Sequence, residues 1–143
     1  MTDLVNGSHI VKLKASMEQA IDSGQLTQIE APLEHYHTND LYGRRIYVQE
    51  GATVVTKVHK SEHITVALKG HAVVVDEIGE RFDVVAPSVF ITKPGTQRAV
   101  YAVTDVEWLT VHACQEKQLE NIEKSLVCDT IDEYNSLQIE APQ

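Results

Sequence analysis

Residues 55–70 read VTKVHKSEHITVALKG, with His59 and His63 four apart and Glu62 between them. The reading of this stretch decides the fold. A His pair at this spacing on a helix, with Glu directly after the first His, would make a protease-type zinc site. Here Lys60 follows His59, and Glu62 comes three residues on. The flanks Val54, Val55, Val58, Ile64, Thr65 and Val66 are β-branched and suit a pleated strand. The pair therefore belongs to strands, and the zinc-helix reading is set aside.

The same texture extends on both sides. RRIYVQEG, ATVVTKV, HITVALKG, HAVVVDEIG, RFDVVAP, SVFITKPG, RAVYAVTD and VEWLTVHA are short β-branched runs punctuated by Gly, Pro, Asp or Asn. About seven or eight such strands at regular spacing predict a sandwich or barrel. No helical segment alternates with them, which excludes a parallel α/β sheet. A helix is predicted on each side. Over residues 9–23, Ser8 is a candidate cap, Ile10, Leu13, Met17 and Ile21 recur at helical spacing, and Gly24 is the stop. Over residues 115–127, Leu119, Ile122 and Leu126 share one face. The tail to residue 143 reads as a short edge strand. QIEAP occurs at residues 28–32 and again at 138–142, too short a match for an architectural repeat.

Composition narrows the function classes. The 143 residues make one ordinary domain, with 43% hydrophobic and 23% charged residues. A net charge of -9 disfavours a nucleic-acid polymer as partner, because phosphate backbones attract a basic face. No apolar run is long enough to span a membrane. The start MTDLVNGSH has neither a basic nor a long apolar stretch, so no secretory leader is read there and a cytoplasmic location is expected. Cys114 and Cys128 form no disulfide framework and are expected to be free thiols.

The spacing Gly51, Lys57, His59, His63, Gly70 resembles the first motif of the cupin superfamily, G-x5-H-x-H-x3-E-x6-G. Lys57 stands where that family has its first His, and His63 where it has Glu. The second motif, G-x5-P-x-G-x2-H-x3-N, is matched by KPGTQRAVYA more loosely. Gly95 is in place, Pro94 is one residue late, and Arg98 replaces the third His. Pro87 and Ala102 fill the Gly and Asn positions. The resemblance covers roughly residues 41–113. It implies a mainly β fold: an antiparallel jelly-roll barrel over residues 42–113, with an N-terminal and a C-terminal helix and a pocket at one end. Because cupins commonly pair through sheet edges, it also implies a homodimer or higher homo-oligomer. The chain is also similar to short single-domain cupin-like proteins of tailed phages, which would place it in a host cytoplasm.

Many relatives hold Fe, Mn, Ni or Zn through three His and one Glu. Lys57 and Arg98 are cations on two of those positions and repel a divalent metal. Arg has no lone pair to offer. One route back to a metal is open. If RAVYAVTDVEWLTVHA is a hairpin centred near Asp105, Arg98 faces His112, and His59, His63 and His112 could hold a divalent metal such as Zn, Fe or Mn in an isomerase or dioxygenase. The main expectation is a metal-free cationic pocket. Lys57, His59, His63, Arg98 and His112 would bind a small anion such as a nucleotide or sugar phosphate, with Tyr101 and Trp108 for stacking. No catalytic residue is assigned, since no nucleophile has a base and acid placed behind it. A structural cupin whose polar interior is filled by salt bridges and water is the remaining alternative. Of Arg44 and Arg45, alternation turns one in and one out. Glu62 is expected in solvent, and His35 and His37 at the barrel mouth or in solvent.

Overall fold

The computed structural model describes residues 8–76 and 78–140. It opens with α1 (Ser8–Asp22), followed by β1 (Leu33–His37), β2 (Leu41–Val48), β3 (Thr53–Val55), β4 (Val58–His59), β5 (His63–Lys69) and β6 (His71–Val75). β7 (Arg81–Val85), β8 (Ser88–Thr92), β9 (Ala99–Ala102) and β10 (Val106–Ala113) complete the β region. The chain ends with α2 (Leu119–Leu126), β11 (Val127–Cys128) and α3 (Ile131–Glu140).

Two antiparallel sheets face one another. One has the order β1-β2-β10-β5-β8, and the other β3-β9-β6-β7. Period-two alternation sets their inner faces. On β10, Val106, Trp108 and His112 are buried, and on β5, His63, Thr65 and Ala67. The apolar half of the interior joins Val48, Ala67, Val74, Val84, Val100, Val106 and Trp108, with Phe82 and Phe90 packed against it. The ring of Phe90 meets Trp108 edge-on at 5.7 Å. The antiparallel, mainly β architecture with a helix in each terminal region is the one expected from the sequence.

Across β5 and β8 the outer face of the five-stranded sheet is apolar. Ile64 pairs with Ile91 and Val66 with Val89 across β5 and β8. Val89 is 68% exposed, and Ile64, Leu68 and Ile91 are exposed beside it. Among the described residues β8 is the edge of its sheet.

Local chemistry explains the boundaries. Ile10 is buried, with Leu13, Met17 and Ile21 half-buried on the same face of α1. The helix stops where Gly24 takes φ +82°, with Gly24 N–H donating to Ile21 and Gln25 N–H to Ala20, the paired bonds of a Schellman end. Gly51 and Gly70 both hold positive φ, at +84° and +87°.

Four expectations are corrected. The strands begin at Leu33, not residue 42, since β1 pairs with β2 from Leu33↔Ile46 to His37↔Tyr42. The second helix covers Leu119–Leu126 only. The tail beyond it is the helix α3 rather than an edge strand, and the two-residue β11 pairs instead with β4. Finally, β9 and β10 do not form a hairpin. β9 pairs with β3 and β6, while β10 pairs with β2 and β5, so the turn at Thr104–Asp105 crosses from one sheet to the other.

Candidate functional site

The inner faces enclose a cavity of about 400 Å³ at one end of the sheets. Register builds its wall in rows. Thr110 of β10 lies between Arg44 of β2 and Thr65 of β5, and one row below, Trp108 lies between Ile46 and Ala67. Arg44, Ile46, Thr65, Trp108, Thr110 and His112 all line the cavity. The opposite sheet adds Val54, Val55 and Val100, and Thr56, Lys57 and Arg98 reach in from segments beside it. His59 and His63 enter from β4 and β5. Glu123, Leu126 and Val127 of α2 and β11 close one side.

Six of the seven residues singled out in the sequence meet here: Lys57, His59, His63, Arg98, Trp108 and His112. Tyr101 does not. It sits between inward-facing Val100 and Ala102 on β9 and is 44% exposed on the outer face. Trp108 lines the cavity, and its ring meets Phe90 edge-on. Arg98 and His112 come together because the two sheets face each other, not as cross-strand neighbours.

The three histidines form one cluster. Ring centroids are 4.5 Å apart for His59–His63, 4.2 Å for His63–His112 and 6.5 Å for His59–His112. Burial, reinforced by each other and by Arg98 and Arg44, pushes His59 down to about 3. Burial, then His63 and His59, pushes His112 to about 3 as well. His63 is also lowered by burial, against an opposing hydrogen bond to the Ser61 carbonyl. All three rings are therefore neutral at pH 7.

The cations are held by the protein in different ways. Arg44 Nε donates to Tyr42 Oη at 2.9 Å, and its Nη2 pairs with Glu123. Tyr42 is fully buried, and its hydroxyl lies 2.5 Å from His35 Nδ1. Lys57 is 54% exposed at the mouth, 3.9 Å from Glu123 and 3.5 Å from Asp129. Arg98 lies near the faces of Phe82 and Phe90, its guanidinium carbon 5.6 and 5.7 Å from their centroids. Arg45, one residue from Arg44, points out and pairs with Glu107 at 2.5 Å. Glu62 is outside too, paired with Lys93. Among the described residues, the cations lining the cavity are Arg44, Lys57 and Arg98 and the lining carboxylate is Glu123, with Asp129 beside Lys57 at the mouth.

A divalent metal is a poor match to this donor set. His59 Nδ1, His63 Nε2 and His112 Nδ1 are buried without hydrogen-bond partners among the described residues, which makes them chemically eligible. Two imidazoles sharing a tetrahedral zinc at ordinary bond lengths hold their centroids about 5 Å apart. Two of the three pairs here are closer and the third is wider. Among the described residues no group of three or more His, Cys, Asp or Glu side chains is arranged to hold a metal ion. Three cations share the same space, so no chemistry is routed through a metal.

Several lining residues were not found from sequence. Arg44 was one of two equivalent candidates. The threonines Thr56, Thr65, Thr92, Thr96 and Thr110 carried no signal beyond strand propensity. Glu123 comes from a helix more than fifty residues past the histidine pair, and only the fold brings it back.

No protein-family model and no curated protein matches the sequence. Solved structures do match the fold. An uncharacterized conserved protein with a double-stranded β-helix domain from Klebsiella pneumoniae is similar at 20% identity, over 62% of this chain and 80% of that one, with a TM-score of 0.53. A cupin superfamily protein from Desulfitobacterium hafniense matches at 12% identity over 62% and 81%, with a TM-score of 0.51. A putative ethanolamine utilization protein from Salmonella typhimurium matches at 19% over 60% and 71%, with a TM-score of 0.51. At these identities the likeness speaks for the double-stranded β-helix fold alone.

Proposed function

We propose that the protein binds a small anionic organic molecule in this cavity, without a catalytic metal. The observation that carries the reading is the lining: among the described residues, three cations and one carboxylate around neutral imidazoles, inside walls of threonine and apolar side chains. Arg44 and Lys57 already share Glu123, with Asp129 beside Lys57, so an incoming anionic group would join an existing charge network. Arg offers a two-pronged donor to carboxylate or phosphate, and Lys a point charge at the mouth. A volume of about 400 Å³ lies within the usual range for small-molecule sites. Of the two ligand types expected from the sequence, a sugar phosphate or similar compact anion is favoured over a nucleotide. Tyr101 is outside, so a base would have one of the two expected aromatic neighbours, Trp108.

Calorimetry against a panel of phosphates and carboxylates tests the proposal. Arg98→Ala is expected to weaken binding by about 1–3 kcal/mol, the cost of losing a charged hydrogen bond. Tyr101→Ala should leave affinity unchanged. If no anion binds, and Arg98→Ala and Lys57→Ala move only the melting temperature, the cavity is structural. The metal-dependent enzyme is the second reading, favoured by the three unpartnered ring nitrogens. Elemental analysis of tag-free protein tests it: stoichiometric metal lost on His59→Ala would replace the anion reading.

The same reading makes Glu123 a competitor for the ligand. Its carboxylate pairs with Arg44 and lies 3.9 Å from Lys57, where an anionic group would bind. Glu123→Gln is expected to tighten anion binding about tenfold, as measured in the same titration. A weaker-binding variant would mean that Glu123 positions Arg44 rather than competing.

The proposal extends to setting and assembly. The two free cysteines suit a reducing cytoplasm. The solved structures named above are bacterial and lend a phage setting no support. A homodimer is expected through the outer face of the five-stranded sheet, where Ile64, Leu68, Val89 and Ile91 form an uncharged patch on a chain of net charge -9. Sizing with light scattering checks this: Ile91→Glu should give monomer, and a monomeric wild type would overturn it.

A further inference from the structure

His63 is the ring of the three whose tautomer is assigned by a hydrogen bond to a backbone carbonyl. It is 5% exposed, and its Nδ1 lies 3.1 Å from the carbonyl oxygen of Ser61. A carbonyl only accepts, so Nδ1 carries the proton and donates it. In the neutral ring Nε2 is then a bare lone pair. Nε2 is buried and has no hydrogen-bond partner among the described residues. The neighbouring hydroxyls do not answer it: Thr65 and Thr92 are bonded to each other at 2.7 Å.

This makes the cavity two-sided in hydrogen-bond terms. Arg44, Lys57 and Arg98 are donors only, whereas His63 Nε2 is an acceptor only. A simple aliphatic acid would satisfy the cations and leave Nε2 bare. A neutral polyol would satisfy Nε2 and bring no charged group to the cations. We propose that the ligand is a hydroxylated anion, a hydroxy acid or sugar phosphate, whose hydroxyl donates to His63 Nε2 while its acidic group meets the cavity cations. This rests on the anion-binding reading above and adds the second recognition element. Sites built to bond a hydroxyl discriminate strongly against analogues that lack it, because the buried partner is left unmet.

Two matched pairs test it by calorimetry: glycerol 3-phosphate against n-propyl phosphate, and glycerate against propionate. Each pair shares its charge and chain length and differs in hydroxyl groups. The wild type is expected to bind the hydroxylated member of at least one pair tenfold or more tightly. His63→Leu should abolish that preference by weakening only the hydroxylated member, and His63→Gln, which keeps an acceptor oxygen, should retain part of it. If His63→Leu does not fold, the wild-type and His63→Gln comparisons decide. Equal binding within both pairs by the wild type overturns the hydroxyl inference and leaves the anion reading standing. No binding by any of the four compounds overturns both.

Discussion

Lowering the pH from 7 to 4 is expected to destabilise the folded protein on the order of 4 kcal/mol, read as a falling melting temperature. His59 and His112 titrate near 3 in the folded state because burial penalises their charged forms. In the unfolded chain they titrate near 6.5. Above about pH 6.5 both states are neutral, and these groups do not make stability depend on pH. Below it the unfolded chain takes up protons that the folded chain refuses, so stability falls until the pH reaches the folded value near 3. Each unit of that window is worth about 1.4 kcal/mol per histidine before solvent screening reduces it. Protonation of carboxylates relieves the repulsion of a strongly acidic chain and works the other way at the bottom of the range. The double variant His59→Gln/His112→Gln separates the two effects: its melting temperature should be much flatter between pH 6.5 and 4. An equally steep variant would rule out the histidines as the cause.

Gly70→Ala is expected to cost about 3 kcal/mol or more. Gly70 joins β5 to β6 with φ +87°, a conformation that is strained for any residue with a Cβ. An added Cβ would also lie 2.0 Å from the carbonyl oxygen of Asp105 and 2.9 Å from Thr104 Oγ1. The first obstacle is backbone and has no rotamer to escape into. It belongs to the turn where the chain crosses between sheets, so relief would disturb both. Gly51 supplies the control. Its φ is +84°, but an added Cβ would meet nothing within 4 Å. Gly51→Ala should therefore cost only the conformational term, about 1 kcal/mol. Chemical denaturation of the two variants gives the comparison, and similar losses at both sites would overturn the steric argument.

The same two glycines show what the sequence could and could not reveal. Their spacing marked the strand framework correctly, because turn residues and period-two alternation are local properties. It could not distinguish them, because only the fold brings Asp105 against one and not the other. The site divides along the same line. His59 and His63 lie on neighbouring short strands, and their shared destination was legible. Arg98 and His112 were brought to the right cavity by the wrong route, since no local pattern tells a hairpin from a crossover between sheets. Tyr101 was misplaced because VYAV is apolar on both faces, and alternation without polar residues has no sign. The RR pair fixed that one arginine enters the cavity, but choosing Arg44 required the register of β2 against β10.

The two-residue ladder between β11 and β4 has a kinetic consequence. Val127 pairs with His59 and Cys128 with Val58, and the adjacent Glu123 and Leu126 form one side of the cavity. The short ladder is supplemented by Lys60 N–H and side-chain bonds to Leu126 and Lys124. Detaching so short a seam demands far less free energy than global unfolding. Residence time of a bound molecule would then follow the opening rate of this seam, and amide hydrogen exchange at Lys60 and Cys128 would slow in proportion to occupancy.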